Sequence, residues 1–240
     1  MNNLSFYCPV RNSALDYAIK NLPVLPAPAD RVTHLLLPIP SFGSDRTIKG
    51  GGDLGTILSA LPQDITVIGG NLQHPALTGY KTLDLLQDDV YISENADITA
   101  RCALRLLMSC LPCTLKNCPV LVIGWGRIGK CLARLLREND ANVTVCARKE
   151  RDRAMLGALG YRIQESPDAT GFRVVINTAP AIVLSKCPTG ILKMELSSVM
   201  GLPGEDVLWA RGLPAIYAPE SSGKLIAETV NRLLEKEEPL

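Results

Sequence analysis

A glycine-rich segment in the second half of the chain has the residue types and the spacing of a dinucleotide-binding turn. The segment is Gly124-Trp125-Gly126-Arg127-Ile128-Gly129. Glycines in this pattern permit a tight turn, close approach of the backbone to a pyrophosphate, and packing of a helix on a strand. The amide groups and the dipole of the following helix would then hold the phosphates. Because the pattern also occurs by chance, its surroundings decide its meaning.

The flanking residues supply the strand and the helix that such a turn requires. Residues 120–123 are apolar and predict a short buried strand that ends at the first glycine. After the turn, apolar residues recur at helical spacing as far as about Asn139, and they are Ile128, Leu132, Leu135 and Leu136. The sequence therefore predicts a Rossmann-type nucleotide site.

The residues after the next predicted strand, 142–146, bear on the choice of cofactor. NAD-preferring folds place an acid there to bind the ribose hydroxyls, whereas this chain has Arg148 and Lys149. A guanidinium binds a ribose 2′-phosphate in bidentate fashion, so the sequence predicts NADP(H) rather than NAD(H). The alternative is a set of solvated charges at a helix start, because Glu150 and Asp152 lie among them.

Two further turns follow predicted strands and should lie at the same edge of the sheet. The strand at 173–177 breaks into a turn whose residues we predict to contact the ribose or nicotinamide, namely Asn177, Thr178, Ala179 and Pro180. The same residues are equally typical of a turn without a ligand. Ser197 and Ser198 end the strand at 193–197 in the same way and are predicted to face the cleft.

Strand and helix signals alternate along the chain, which predicts an α/β fold. We expect a small N-terminal α/β domain over residues 1–95, with strands at 34–37 and 64–70 and a helix at 55–61. A linker helix at 95–111 leads into a doubly wound parallel-sheet Rossmann domain over 96–222, with helices at about 127–139 and 151–159 and a further strand at 161–164. A C-terminal helix over 223–240 is expected to pack back on the N-terminal domain.

Composition excludes several classes of protein. The formal net charge of +1, from 25 basic and 24 acidic residues, gives no field that would attract nucleic acid or an anionic membrane. A signal segment and a membrane helix are not indicated, so a cytoplasmic location is expected. Eight cysteines in such a chain predict reduced thiols. Cys110, Cys113 and Cys118 lack a fourth zinc ligand at matching spacing, and packing of a helix end is the simpler interpretation, so no metal is predicted.

With these residues placed, the chain from about residue 95 to 234 resembles the dipicolinate synthase A subunit family, whose fold is related to 2-hydroxyacid dehydrogenases. The resemblance rests on residues 95–100, 122–129, 147–148, 176–180, 195–198, 212–215, 218–219 and 222–223. It implies a spore-associated, NADP-dependent oxidoreductase that oxidises dihydrodipicolinate to dipicolinate with hydride transfer to NADP. It also implies a small dicarboxylate substrate, a partner in the form of a flavoprotein-like B subunit, and a homo-oligomer.

Positive groups must hold the two substrate carboxylates in such a reaction. Arg101, Arg211 and Lys224 are candidates, and each is also consistent with an ordinary surface charge. The catalytic residues stay unassigned, because His34 and His74 both lie in the first half and form no evident acid-base pair.

Three departures from the family pattern favour other interpretations. Residues 1–10 show no glycine-rich turn; Arg101 stands where the family has an acid, and Glu220 where it has a basic residue. Residues 50–53 lack the strand and the ending of a phosphate loop and are predicted to form a mobile cleft loop. Two other functions therefore stay open for the chain as a whole. One is a catalytically altered or inactive nucleotide-binding regulatory or assembly protein, and the other is a reductase of another small carboxylic acid.

Overall fold

Parallel β-sheets organise both halves of the chain in the computed structural model, which describes residues 4–28 and 30–237. The chain divides into two units. The first combines the residues up to Asn95 with those from Pro214 onward, and the second comprises Ala96–Leu213. The second unit therefore ends at Leu213, nine residues before the predicted end of the Rossmann domain at 222. The chain from Pro214 onward belongs to the first unit.

The described residues form eleven strands and seven α-helices. The strands are β1 (Phe6–Tyr7), β2 (Val24–Leu25), β3 (His34–Leu36), β4 (Thr66–Gly69), β5 (Lys81–Asp84), β6 (Pro119–Ile123), β7 (Asn142–Cys146), β8 (Arg162–Gln164), β9 (Val174–Asn177), β10 (Leu192–Glu195) and β11 (Val207–Trp209). The helices are α1 (Ser13–Ala18), α2 (Leu54–Ser59), α3 (Asp89–Cys110), α4 (Arg127–Glu138), α5 (Glu150–Ala158), α6 (Leu213–Tyr217) and α7 (Pro219–Glu237).

The sheet of the first unit has the order β2-β1-β3-β4-β5, and all its pairs are parallel. The opening residues do contain a strand: β1 lies between β2 and β3, and its Phe6 is fully buried. Two residues are too few to show an alternating pattern, which is why the sequence did not reveal β1. The strand order reverses between β1 and β3, and open parallel sheets bind ligands beside such a reversal.

The sheet of the second unit has the order β11-β10-β9-β6-β7-β8 and is also parallel throughout. Val120, Leu121 and Val122 of β6 are completely buried, because this central strand is covered on both faces. The predicted α/β fold with a doubly wound parallel sheet is therefore confirmed. Here the order reverses between β6 and β9, so the carboxyl ends of these two strands mark the expected ligand position.

Two helices begin earlier than their apolar spacing predicts. The linker helix α3 starts at Asp89 instead of residue 95, because the Asp88 carboxylate accepts a hydrogen bond from the Tyr91 amide at 2.7 Å and so caps the helix. The last helix α7 starts at Pro219, a residue suited to the first helical position. It packs against α1, where a Cβ on Gly223 would lie 2.4 Å from the Ala14 carbonyl oxygen.

Candidate functional site

Gly124 connects the end of β6 to the loop that precedes α4. Its φ of +103° suits glycine, and its amide donates to the Cys146 carbonyl at the end of β7, at 2.9 Å. A Cβ at this position would lie 2.5 Å from the Thr178 hydroxyl oxygen and 3.1 Å from the Ala179 amide nitrogen. Gly124 is therefore required because the turn after β9 passes directly against it.

The other two glycines of the motif have different surroundings. A Cβ on Gly129 would lie 2.4 Å from the Gly124 carbonyl oxygen, so this glycine lets α4 pack tightly on the turn. A Cβ on Gly126 would meet nothing within 4 Å. Gly126 precedes the 12-residue helix α4 and provides no side-chain cap. The first amides of α4 therefore border open space, which is the arrangement that binds a pyrophosphate.

The turn after β9 is joined to β6 through Thr178. Its amide and its hydroxyl both donate to the Ile123 carbonyl, at 2.8 Å and 3.0 Å. Ala179 is half-buried and Pro180 is exposed, so this turn presents a surface beside Gly124. The structure thus brings Gly124, Thr178 and Ala179 together at the reversal of strand order. They follow two strands, β6 and β9, that are far apart in sequence.

Asn177 has a different place from the one predicted for a ligand contact. It is completely buried, and its side-chain NH₂ donates to both oxygens of Glu195 at 3.0 Å and to the Ala179 carbonyl at 2.9 Å. Its side-chain oxygen accepts from the Ala179 amide at 2.9 Å. With its amide engaged in this way, Asn177 shapes the turn from inside the protein.

Glu195, at the end of β10, was not among the predicted site residues. This fully buried carboxylate also accepts from the Ser197 amide at 3.0 Å and the Gly201 amide at 2.8 Å. A Cβ on Gly201 would lie 2.5 Å from the Asn177 side-chain nitrogen. Glu195 therefore fixes the loops after β9 and β10 to each other. In the sequence, the signal for Glu195 is an acidic residue at the end of a predicted strand.

The two serines after β10 are not presented alike. Ser197 is buried, and its hydroxyl donates to the Val199 carbonyl. Ser198 is exposed, and its carbonyl accepts from Arg211 at 3.0 Å. The Arg211 guanidinium also lies 5.5 Å from the centroid of the Trp209 ring. Of the two serines, Ser198 keeps its side chain exposed to solvent, while Arg211 binds the loop that follows β10.

Arg148 and Lys149 occupy the turn between β7 and α5, and both are exposed. Within residues 4–28 and 30–237, neither side chain has a hydrogen bond or an ion pair. Arg153, in contrast, donates to the carbonyls of Ala147 and Arg148 at 3.2 Å and 2.6 Å and pairs with Glu165 at 3.0 Å. Arg153 thus stabilises the turn, and the exposed side chains of Arg148 and Lys149 are available to bind an anion there.

The remaining residues of the glycine motif are Trp125, Arg127 and Ile128. The Trp125 ring packs edge-on against Tyr161, with centroids 5.5 Å apart, and the Lys130 ammonium lies 5.9 Å from its centroid. Arg127 is the first, exposed residue of α4, and Ile128 is half-buried.

Two candidate carboxylate-binding residues form ion pairs on their own helices. Arg101 binds Asp97 at 2.6 Å on α3, and Lys224 binds Glu220 at 2.8 Å on α7. The hydrogen bond to Lys224 holds the pKa of Glu220 below its ordinary value. Both cations are more than half exposed, as expected of surface pairs. These two departures from the family pattern are therefore each compensated by a neighbour of opposite charge.

The chain contains eight cysteines, and all of them lie among the described residues. All eight are free, and burial raises the pKa of several, that of Cys8 to about 11. Cys110 and Cys113 are exposed and Cys118 is buried. In the described part of the chain, groups of three or more potential metal ligands do not occur. Across the same residues, the helices are all too short or too polar to cross a membrane.

Comparison with known proteins agrees with this architecture. The dipicolinate synthase A subunit of Bacillus subtilis (strain 168) is 28% identical over 171 residues, which cover 64% of this chain and 58% of that protein. The match thus spans less than two thirds of the relative's length. Models of protein families do not match the chain.

Solved structures extend the likeness over nearly the whole chain. The dipicolinate synthase A subunit from Bacillus halodurans superposes with a TM-score of 0.83 at 20% identity, covering 98% of both chains. The corresponding dipicolinate synthase structure from Bacillus subtilis gives 0.79 at 19%, covering 98% of this chain and 97% of that one. D-lactate dehydrogenase from Escherichia coli gives 0.66 at 13%, covering 98% of both. The chain therefore has the dipicolinate synthase A-like Rossmann fold.

Proposed function

We propose that this protein is an NADP-dependent oxidoreductase of the dipicolinate synthase A type. The observation that carries the proposal is the open start of α4 at Gly126, together with two unpartnered cations on the turn after β7. The first group suits a pyrophosphate and the second a ribose 2′-phosphate. The curated relative supplies the reaction, because it belongs to a dipicolinate synthase.

Each part of the nucleotide would have its own residues. The amides of Gly126, Arg127 and Ile128 would hold the pyrophosphate, and Arg148 and Lys149 would bind the 2′-phosphate. Thr178, Ala179 and Pro180 would border the nicotinamide half, since they lie against Gly124 at the reversal of strand order. Asn177 and Glu195 would position that turn from within the protein.

The proposed reaction is the oxidation of dihydrodipicolinate to dipicolinate. When bound, NADP would supply a hydride acceptor, and the substrate ring would lose a hydride and, to water, a proton as the pyridine ring forms. Aromatisation drives this loss, so the task of the protein is to position the ring and hold its carboxylates. Ser198 is the exposed residue after β10 that remains as a candidate for a substrate contact.

Turnover distinguishes this proposal from a regulatory or assembly role. NADPH formation should be followed from freshly generated dihydrodipicolinate, with and without a flavoprotein-like B subunit. NADPH formation in either condition supports the oxidoreductase. Tight NADPH binding without turnover in both would instead favour a nucleotide-binding protein that has lost its chemistry, and turnover of a different small carboxylic acid would reassign the substrate.

A further inference from the structure

The first unit contains a cleft of about 580 Å³ whose walls follow β1 and precede α2. It lies at the carboxyl side of the sheet, where the strand order reverses between β1 and β3. Its lining residues are Pro9, Val10 and Arg11 after β1, then Gly50, Gly51, Gly52 and Asp53, and finally Thr56 and Ile57 of α2. The nucleotide site of the second unit uses none of these residues.

The segment that leads into the glycine wall of this cleft is hydrogen-bonded to other residues of the first unit. Before the glycines, the Lys49 amide donates to the Ser41 carbonyl at 2.9 Å, and the Ser41 amide donates to the Gly70 carbonyl at 2.8 Å. A Cβ on Gly50, whose φ is +96°, would lie 2.8 Å from a methyl carbon of Val10. Glycine at this position therefore allows the loop to close directly onto the residues that follow β1.

Arg11 gives the cleft a cation with spare donors. Its Nε donates to Asp16 at 2.7 Å, and the side chain is half exposed. A guanidinium has five N–H groups, and the other four have no protein partner within residues 4–28 and 30–237. The two terminal nitrogens are thus available to hold a carboxylate in the bidentate arrangement that arginine favours.

Asp53 adds an anion to the same cleft. Its Oδ2 accepts from the amide and hydroxyl of Thr56 at 2.7 Å and 2.8 Å, and these bonds hold the pKa of the carboxyl below its ordinary value. The Oδ1 atom accepts no hydrogen bond from the described residues. An ionised carboxylate in the same cleft as Arg11 disfavours binding of a polyphosphate, whereas a ligand with a carboxylate and an N–H group would satisfy both side chains.

We propose that this cleft binds a small amino or cyclic imino acid, with Arg11 receiving its carboxylate and Asp53 accepting its N–H. The apolar side chains of Pro9, Val10 and Ile57 suit the carbon skeleton of such a ligand. This inference rests on the proposed function in one respect: that the natural ligand of the cleft is the substrate of the proposed reaction. Binding itself depends on neither the nucleotide nor turnover.

A matched pair of ring compounds tests the assignment on the intact chain. Pipecolate carries a carboxylate and a ring nitrogen, and cyclohexanecarboxylate has the same ring size without the nitrogen. Each should be titrated calorimetrically, and in parallel by NMR of methyl-labelled protein, in which shifts of the Val10 and Ile57 methyl groups would locate the ligand. We expect saturable pipecolate binding with shifts at both residues, and weaker binding of cyclohexanecarboxylate.

Three variants separate the roles of the charges. Arg11→Gln should weaken pipecolate binding about 10- to 100-fold, because it removes charge-assisted hydrogen bonds. Asp16→Asn is the control, since it breaks the same ion pair but keeps the guanidinium, and its affinity should stay near that of the wild type. Asp53→Asn retains a helix cap yet removes the negative charge, so it should abolish the preference for pipecolate.

Three outcomes would overturn the proposal. One is the absence of saturable pipecolate binding to a folded wild-type chain. Another is equal loss in Arg11→Gln and Asp16→Asn, which would show a structural effect of the ion pair. The third is saturable binding of inorganic phosphate, but not pipecolate, with the same dependence on Arg11. NADPH binding and turnover, measured separately on the same preparations, report on the proposed function, so its failure would remain distinguishable.

Discussion

Replacing Gly126 and Gly129 one at a time with alanine should separate nucleotide binding from packing. The two glycines are three residues apart in one motif, but a methyl group meets open space at the first and backbone at the second. Gly126→Ala should therefore impair binding and spare the fold. Gly129→Ala should destabilise the fold first, and any change in its binding would follow from that.

The expected magnitudes follow from the contacts. At Gly129 the added Cβ would lie 2.4 Å from the Gly124 carbonyl oxygen, so helix and turn must separate by about 1 Å to reach ordinary contact. Overpacking of this kind costs about 1–3 kcal/mol, and the higher helix propensity of alanine returns up to about 1 kcal/mol. A net loss of about 1–2 kcal/mol corresponds to a fall in Tm of about 2–8 °C for a chain of this size.

At Gly126 the backbone imposes little strain. Its φ of −78° is open to every residue, and alanine as a helix cap costs at most about 1 kcal/mol relative to glycine. Its methyl group would occupy the space proposed for the pyrophosphate. We expect NADPH affinity to fall at least about tenfold, which corresponds to about 1.4 kcal/mol.

Both variants should be compared with the wild type by urea unfolding followed by circular dichroism and by calorimetric titration with NADPH. A Gly126→Ala titration that superimposes on that of the wild type would refute the placement of the pyrophosphate. Unchanged stability of Gly129→Ala would refute the close packing of α4 on the turn.

Three further predictions concern single contacts. Arg148→Asp should shift preference from NADPH toward NADH, because it replaces the proposed phosphate ligand with an acid that suits ribose hydroxyls; comparing thermal stabilisation by the two nucleotides tests this, and an unchanged ratio would contradict it. Asn177→Ala should cost about 1–3 kcal/mol in urea unfolding, since it leaves Glu195 short of a donor; an effect on affinity with no effect on stability would indicate a direct ligand contact. Asp88→Asn should destabilise the chain at neutral pH and progressively less below the usual carboxyl pKa of 3.8. The hydrogen bond from Arg232 holds the pKa of Asp88 below that value, so its contribution is present above the unfolded pKa and is lost as pH falls through the folded one; a loss independent of pH would exclude the ion pair as its cause.

The sequence predicted the inner strands of the second unit well because these strands are largely buried. Residues 120–123 are all apolar, residues 142–146 contain Val143, Val145 and Cys146, and both runs form strands of the sheet. The first unit was harder to predict. Its inner strand β1 has only two residues, and the contact between Asp88 and Arg232 joins residues 144 positions apart. Local patterns carry no information about such a pairing.

At the candidate nucleotide site, the sequence predicted where the turns lie better than which side chains face the cleft. Gly124, Gly126 and Gly129 fall at the expected turn, because their spacing reflects backbone geometry. Asn177 and Ser197 were expected in the cleft because they end strands, yet their side chains are turned inward. A polar residue at a strand end predicts a turn, but whether its hydrogen bonds are made to the protein or to a ligand depends on contacts with other strands, here with Glu195. The assignment of nucleotide ligands stays a prediction.

A structure of this protein in complex with NADPH would test the central claim most directly. The account predicts the pyrophosphate at the amides that begin α4, next to Gly126, and the 2′-phosphate within hydrogen-bonding distance of Arg148 or Lys149. A nucleotide bound with its 2′-phosphate away from this turn, or a pyrophosphate distant from Gly126, would contradict it.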